Sequence, residues 1–245
     1  MKPYPGSGSG SVASRKVGAV GSDVFTVLVV CQGNVNRSAL GAVLLETWAE
    51  WYLPKGAAEH VRVMSAGLGA PVGSSMGRRS RVIAEALGAD GSRHRAAQIT
   101  EGHIRAADLV LVSSGDQRDS VLALVPGALA RTFTIREAGR IAEALPEWPA
   151  PRSLAELRAR VLAIADNRGA GDHRDDDIVD PQGKDDEAYR QMAREEVPPL
   201  AELAGALFGM PSGEIGAYRE AVEAAHYEFP PRGDAASPRS RGRQG

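Results

Sequence analysis

The stretch Cys31-Gln32-Gly33-Asn34-Val35-Asn36-Arg37-Ser38 sets a thiol and a guanidinium five residues apart. Cysteine is a nucleophile as its thiolate, a form favoured by nearby positive charge. Arginine offers a planar fork that binds two oxygens of one phosphate. Gly33 and Asn34 are residue types that tolerate left-handed backbone, which a tight curl needs if its N–H groups are to converge on an anion. Ser38 is a natural N-cap that could also donate to the sulfur or steady the loop. Together these side chains suit a phosphate dianion and covalent attack by Cys31 on its phosphorus. The plain alternative is a small buried cysteine with an arginine nearby by chance.

The flanking elements weigh against that alternative. Val24 to Val30 is a continuous β-branched run of strand length, suited to a parallel strand covered on both faces. From Ser38 to Tyr52, Leu40, Leu44, Trp48 and Tyr52 recur at helical spacing. The loop therefore lies at the carboxyl end of a strand and at the start of a helix, where ligands bind in open parallel sheets and where the helix dipole attracts anions. Further strands are expected at Val61–Met64, Leu109–Val112 and Arg131–Ile135. Helices are expected at Arg79–Leu87, Asp116–Val125 and Glu137–Leu145. The alternation predicts an α/β fold, an open three-layer sandwich with a central four-stranded parallel sheet and helices on both faces. Beyond Pro146 the pattern loosens. A helix follows around Leu154–Ile164, then a polar acidic loop over Asn167–Asp177. Glu187 to Phe208 is expected as two shorter helices or a kinked one because of Pro198-Pro199. Glu214–Ala225 would add a last helix.

Composition narrows the function classes. Among 245 residues, 29 Lys and Arg against 31 Asp and Glu give a formal charge of −2, without the basic excess of a nucleic-acid binder. Hydrophobic residues, at 43%, suffice for a core. The single cysteine excludes an intramolecular disulfide and a Cys-rich zinc site. The opening residues lack the apolar core of a secretory signal, and no run reaches the roughly 18 apolar residues of a spanning helix. A cytoplasmic protein with no membrane or nucleic-acid partner is expected. Residues 1–22, with their Gly-Ser repeat, are expected to be flexible. Residues 23–227 form the domain, and the Pro- and Arg-rich 228–245 a disordered tail.

Cys31 to Ser38 resembles the signature Cys-x-Gly-Asn-x-Cys-Arg-Ser of the low-molecular-weight protein tyrosine phosphatases. Ser65-Ala66-Gly67, His94-Arg95-Ala96-Ala97-Gln98, Ala107-Asp108-Leu109-Val110-Leu111 and Asp180-Pro181 resemble further segments of that family, in order. The resemblance implies a phosphomonoester hydrolase that needs neither metal nor cofactor. In it Cys31 is the nucleophile, Arg37 the phosphate clamp and Asp180 the acid and then base. Gln32, Gly33, Asn34, Val35, Asn36 and Ser38 line the phosphate loop, and Asn34, Ser38, Ser65 and His94 support it through hydrogen bonds. Without the resemblance, Asp180-Pro181 reads as the start of a turn. Asp175, Asp176, Asp177, Asp185 and Asp186 are fallback acids in a stretch that otherwise reads as a solvated acidic loop. The substrate would be a phosphorylated protein, phosphotyrosine first, or a small phosphomonoester.

The chain departs from the family pattern in five places. Asn36 replaces the second cysteine, so no internal disulfide can rescue an oxidised Cys31. Gln182 stands where tyrosine is frequent, and Leu68 to Val72 bring no aromatic to the rim, which puts the tyrosine preference in question. Ser113-Ser114 replaces Met-Asp, and residues 141–177 exceed the compact core as a lid, a partner surface or a spacer. Two other activities suit the same loop: arsenate reduction with an external thiol, and phosphate or phosphoprotein binding without catalysis.

Overall fold

The structure is a computed structural model that describes residues 23–169 and 176–230. The expected flexible lead at 1–22, all but the first three residues of the expected tail, and Asp175 lie outside these ranges. Four strands, β1 (Phe25–Cys31), β2 (Val61–Gly67), β3 (Leu109–Val112) and β4 (Thr132–Thr134), pair in parallel in the order β2-β1-β3-β4. The predicted sheet is thus present. Because β2 and β3 flank β1 on opposite sides, the chain reverses its direction of winding at β1. The crevice at that switch point opens beyond Cys31.

Alternate residues of β1 feed two cores, as a strand's period of two requires. Phe25, Val27 and Val29 join the larger core, which holds the buried faces of α1 (Arg37–Tyr52), α3 (Arg78–Ala86), α6 (Ile135–Ala144), α7 (Leu154–Asp166) and α8 (Asp186–Phe208). The last helix, α9 (Ser212–Ala224), packs on α8 and α1 and sets Tyr218 edge-on to Trp48, ring centroids 4.8 Å apart. Leu28 and Val30 face the smaller core, with Ile104 of α4 (Glu101–Ala106) and Val121 of α5 (Gly115–Leu124). A short helix α2 (Lys55–Ala58), α4 and a 3-10 turn at Pro126–Arg131 are additions to the expected elements.

Of the two expectations at Pro198-Pro199, two separate helices are not what forms. α8 runs unbroken from Asp186 to Phe208. A proline pair removes two backbone donors, but packing on both sides outweighs that loss. Gly139 of α6 lies so close that a Cβ there would collide with Pro199, and Leu200, Leu203, Ala204 and Leu207 are all fully buried.

The stretch after α6 acquires a defined place through arginines. Arg158 of α7 donates to Asp108 Oδ1 at 2.9 Å and to the Val24 carbonyl at 3.0 Å, which puts α7 at the amino end of β1, opposite Cys31. Arg160 binds the carbonyls of Ala206 and Leu207 at 3.1 and 3.0 Å, capping the carboxyl end of α8. Arg168 stacks on Phe133, 3.9 Å from the ring centroid. No helix among the described residues is long and apolar enough to cross a membrane.

Candidate active site

β1 delivers Cys31 to the carboxyl edge of the sheet, and α1 begins at Arg37, so the connecting loop must reverse direction within five residues. Asn34 makes the turn possible: its φ is +52°, in the left-handed region, whereas Gly33 has no positive φ. The curl brings the Asn34 N–H to 3.2 Å from Cys31 Sγ. Ser38 is not the N-cap of α1. That position belongs to Asn36, and the Ser38 hydroxyl instead sits 3.0 Å from Sγ.

The direction of each hydrogen bond follows from its neighbours. The Ala97 N–H donates to Asn34 Oδ1 at 2.8 Å, which turns Asn34 Nδ2 toward Ser38 Oγ, 2.9 Å away. The Ser38 oxygen therefore accepts from Asn34, and its own hydrogen has two acceptors in reach, the sulfur at 3.0 Å and the Ala66 carbonyl at 3.5 Å; toward a sulfur anion, which carries no hydrogen, Ser38 is the donor. One main-chain N–H and one hydroxyl thus lie within hydrogen-bond reach of Sγ. His94 closes the network, its Nε2 lying 2.7 Å from the Asn34 carbonyl. A carbonyl only accepts, so Nε2 carries the proton. Burial pushes the His94 imidazole below its ordinary value, against the raising effect of that carbonyl, with Arg95 adding to the depression. The neutral Nε2–H tautomer meets both conditions.

Three of the expected support residues thus meet at the loop, and the fourth does not. Ser65 pairs in register with Val29, two residues short of the strand end, and its side chain makes no hydrogen bond to the loop. β2 contributes through its last residues instead. A Cβ on Gly67 would lie 2.7 Å from the Gln32 carbonyl and 3.0 Å from Asn34 N, so this position must be glycine for strand and loop to pack. Just beyond, Leu68 N and Gly69 N donate to the carbonyls of Cys31 and Gln32 at 3.0 and 2.9 Å.

Arg37 is almost fully buried. Its Nη1 donates to the Ile178 carbonyl at 3.1 Å, and Nη2 pairs with Asp180 Oδ2 at 2.6 Å. The Asp180 segment is fixed from several directions. Ile178 N donates to the Ser113 carbonyl at the end of β3 (2.8 Å), Val179 N to Glu195 of α8 (2.7 Å) and Gly115 N to Asp177 (2.8 Å). Asp180 is half-exposed and faces the pocket. The fallback acids are engaged elsewhere: Asp176 with Arg140, Asp185 as the N-cap of α8, and Asp186 with Arg79.

Two cavities meet at the Arg37–Asp180 pair. One, of about 290 Å³, is lined by Cys31, Gln32, Gly33, Val35, Asn36, Arg37, Gly69, Pro71, Asp180 and Gln182. The other, of about 550 Å³, extends past Ser114, Asp116, Asp177, Lys184 and Glu195. Among the described residues neither wall contains an aromatic side chain. Among the described residues no group of three His, Cys, Asp or Glu side chains is placed to hold a metal ion. One neighbour of the site was not foreseen. Glu196 of α8 is fully buried, its carboxylate 2.9 Å from where a Cβ on Gly41 would sit. Burial raises its carboxyl well above the ordinary range, against the Arg37 guanidinium, which pulls it down. A glutamate inside the apolar stripe of Ala193, Val197 and Leu200 was the sequence signal for it.

A family model described as low molecular weight phosphotyrosine protein phosphatase matches residues 26–143. Asp180 lies outside that match and enters the site through the contacts above. The probable low molecular weight protein-tyrosine-phosphatase EpsP of Ralstonia solanacearum is 35% identical over 114 residues, 46% of this chain and 72% of its own. A protein-arginine-phosphatase of Geobacillus stearothermophilus is 32% identical over 113 residues, 46% of this chain and 70% of its own. Among solved structures, the arginine phosphatase YwlE from Geobacillus stearothermophilus superposes with a TM-score of 0.52 at 25% identity, covering 82% of this chain and 98% of its own. The tyrosine phosphatase AmsI of Erwinia amylovora shares the fold, with a TM-score of 0.52 at 24% identity over 75% of this chain and 93% of its own.

Proposed function

The chain belongs to the low molecular weight phosphotyrosine protein phosphatase family, and from that premise we propose that Cys31, Arg37 and Asp180 carry its catalysis. It is a cysteine-dependent phosphomonoester hydrolase of the kind that needs no metal. The observation that carries the assignment is the convergence of Cys31 and Arg37 on one pocket of about 290 Å³, with Asp180 at its mouth.

In this reading the substrate phosphate enters the loop. Its three non-bridging oxygens are held by loop N–H groups and by the Arg37 fork, which together stabilise the charge of the transition state. Cys31 Sγ attacks phosphorus in line with the bridging oxygen. The S–P bond forms as the P–O bond breaks, and Asp180 delivers its proton to the leaving oxygen. The carboxylate then takes a proton from water. Water's oxygen attacks the phosphocysteine, inorganic phosphate leaves, and the thiolate returns to the donors from Asn34 and Ser38.

A phosphorylated protein is the substrate, with phosphotyrosine as the first side chain to test. Relatives described as tyrosine and as arginine phosphatases set the comparison. Those descriptions favour hydrolysis over arsenate reduction or passive anion binding. Cys31→Ser is expected to abolish hydrolysis of 4-nitrophenyl phosphate and of phosphotyrosine peptides while inorganic phosphate still binds. Wild-type protein inert toward aryl phosphates and phosphopeptides between pH 5 and 7 would refute the reading.

A further inference from the structure

Two of the positions at which the sequence departs from the family pattern, Asn36 and Gln182, bond to each other across 146 residues. Asn36 Nδ2 donates to Gln182 Oε1 at 2.9 Å. The amide of Asn36 is itself oriented, because the fully buried Ser80 of α3 donates its hydroxyl to Asn36 Oδ1 at 2.9 Å, leaving Nδ2 to face the pocket rim. Gly77 makes room for it, since a Cβ there would collide with Asn36 Oδ1. Gln182 is engaged at both ends: its side chain holds Asn36, and its main-chain N–H donates to Asp180 Oδ1 at 3.1 Å.

We propose that Asn36 and Gln182 form a latch that fixes the Asp180-bearing turn over the phosphate loop, so that both act as positioning residues for proton donation. The inference rests on Asp180 being the acid of the proposed mechanism. The upstream ties at Ile178 and Val179 fix the approach to Asp180, and the N-cap at Asp185 fixes the exit into α8. Between them Pro181 to Lys184 form a turn with Gly183 at φ +75°. Among the described residues, the Asn36–Gln182 bond is the one hydrogen bond from that turn to the phosphate loop. The carboxylate sits at the end of a short lever: Asn36 sets Gln182, and Gln182 N–H sets the Asp180 oxygen. A nucleophile and an acid on segments so distant in sequence must be aligned at ångström precision for both to act in one transition state. An amide pair achieves this without the reactivity of a second thiol.

The test is a leaving-group series. Full-length wild type, Gln182→Met, Asn36→Ala, the double variant and Asp180→Asn are assayed on aryl phosphates running from 4-nitrophenyl to phenyl phosphate. kcat/KM is the readout, because it covers steps up to formation of the phosphocysteine. A good leaving group departs unprotonated, and a poor one needs the acid. Gln182→Met keeps side-chain length at an exposed position, so the fold survives. It is expected to lower kcat/KM by about tenfold on phenyl phosphate, a part of the roughly hundredfold or more that a general acid supplies. On 4-nitrophenyl phosphate the change stays within about twofold of wild type. The double variant is expected to be no worse than the poorer single one, as for two members of one interaction. If Asp180→Asn shows the leaving-group dependence while Gln182→Met and Asn36→Ala lower all substrates equally or none, the latch is overturned and the acid stands. If Asp180→Asn itself shows no such dependence, the acid assignment fails and the latch falls with it.

Discussion

Replacing Ser38 with alanine isolates one hydrogen bond on the nucleophile. The hydroxyl is fully buried, 3.0 Å from Cys31 Sγ and 3.5 Å from the Ala66 carbonyl, and its oxygen is occupied by Asn34 Nδ2 at 2.9 Å, so its hydrogen is free to go to a sulfur anion. A hydrogen bond to a charged partner is worth about 1.5–3 kcal/mol, and about 1.4 kcal/mol is a factor of ten. Attack by Cys31 on an electrophile should therefore slow roughly ten- to hundredfold. Alkylation of Cys31 by iodoacetamide at pH 6, followed by mass, reads that rate directly. A second signature concerns turnover. Sulfur is the leaving group when water attacks the phosphocysteine, so the variant should release a burst of 4-nitrophenol and then slow, with phosphoenzyme accumulating. The variant also strands a buried amide donor, which costs about 1–3 kcal/mol of stability. Its denaturant midpoint must therefore be measured alongside. A folded Ser38→Ala protein that alkylates at the wild-type rate and shows no burst would refute the hydrogen-bond direction argued here.

Three further outcomes are expected. Burial raises the Glu196 carboxyl, so the folded chain holds its proton at pH values where the unfolded chain has released it. Its contribution to stability is full below the ordinary glutamate range and is lost as pH rises. Glu196→Gln should accordingly flatten the decline of stability from pH 4 toward 8 in urea titrations, and an unchanged slope would contradict the assignment. Gly139→Ala sets about 1 kcal/mol of gained helix propensity against about 1–3 kcal/mol, or more, of collision with Pro199. A lower Tm is expected, and a higher one would show that α6 and α8 can part without strain. Finally, hydrogen peroxide at low dose should give a Cys31 sulfenate that dithiothreitol restores, while higher doses inactivate for good. Full recovery after strong oxidation would contradict the absence of an internal thiol partner.

The sheet and the phosphate loop were legible because each rests on contiguous sequence. β1 is one unbroken apolar run, and the loop follows it directly. The alternative of two separate helices over Asp186–Phe208 fell, since the packing that tolerates Pro198-Pro199 comes from Gly139 on another element. The helices at Lys55–Ala58 and Glu101–Ala106 escaped notice because segments of four and six residues are too short to show a period. Ser65 was assigned to the loop by motif, while the register places it level with Val29 and gives the closest packing to Gly67. Asp180 was expected from the family resemblance, and the fold sets it against Arg37. That Gln182 beside it meets Asn36 could not be foreseen, because two amides 146 residues apart carry no shared pattern until the chain is folded.

The pairing of Arg37 with Asp180 ties α1 to a turn that emerges from the ribosome 143 residues later. The thiol-bearing curl is thus synthesised long before Asp180, the proposed proton source. The face of α1 that rests on α8 also stays bare until the C-terminal third docks. The carboxylate that Arg37 pairs with is therefore made last of the three, and a chain stopped short of Asp180 would hold the curl and its guanidinium without that partner.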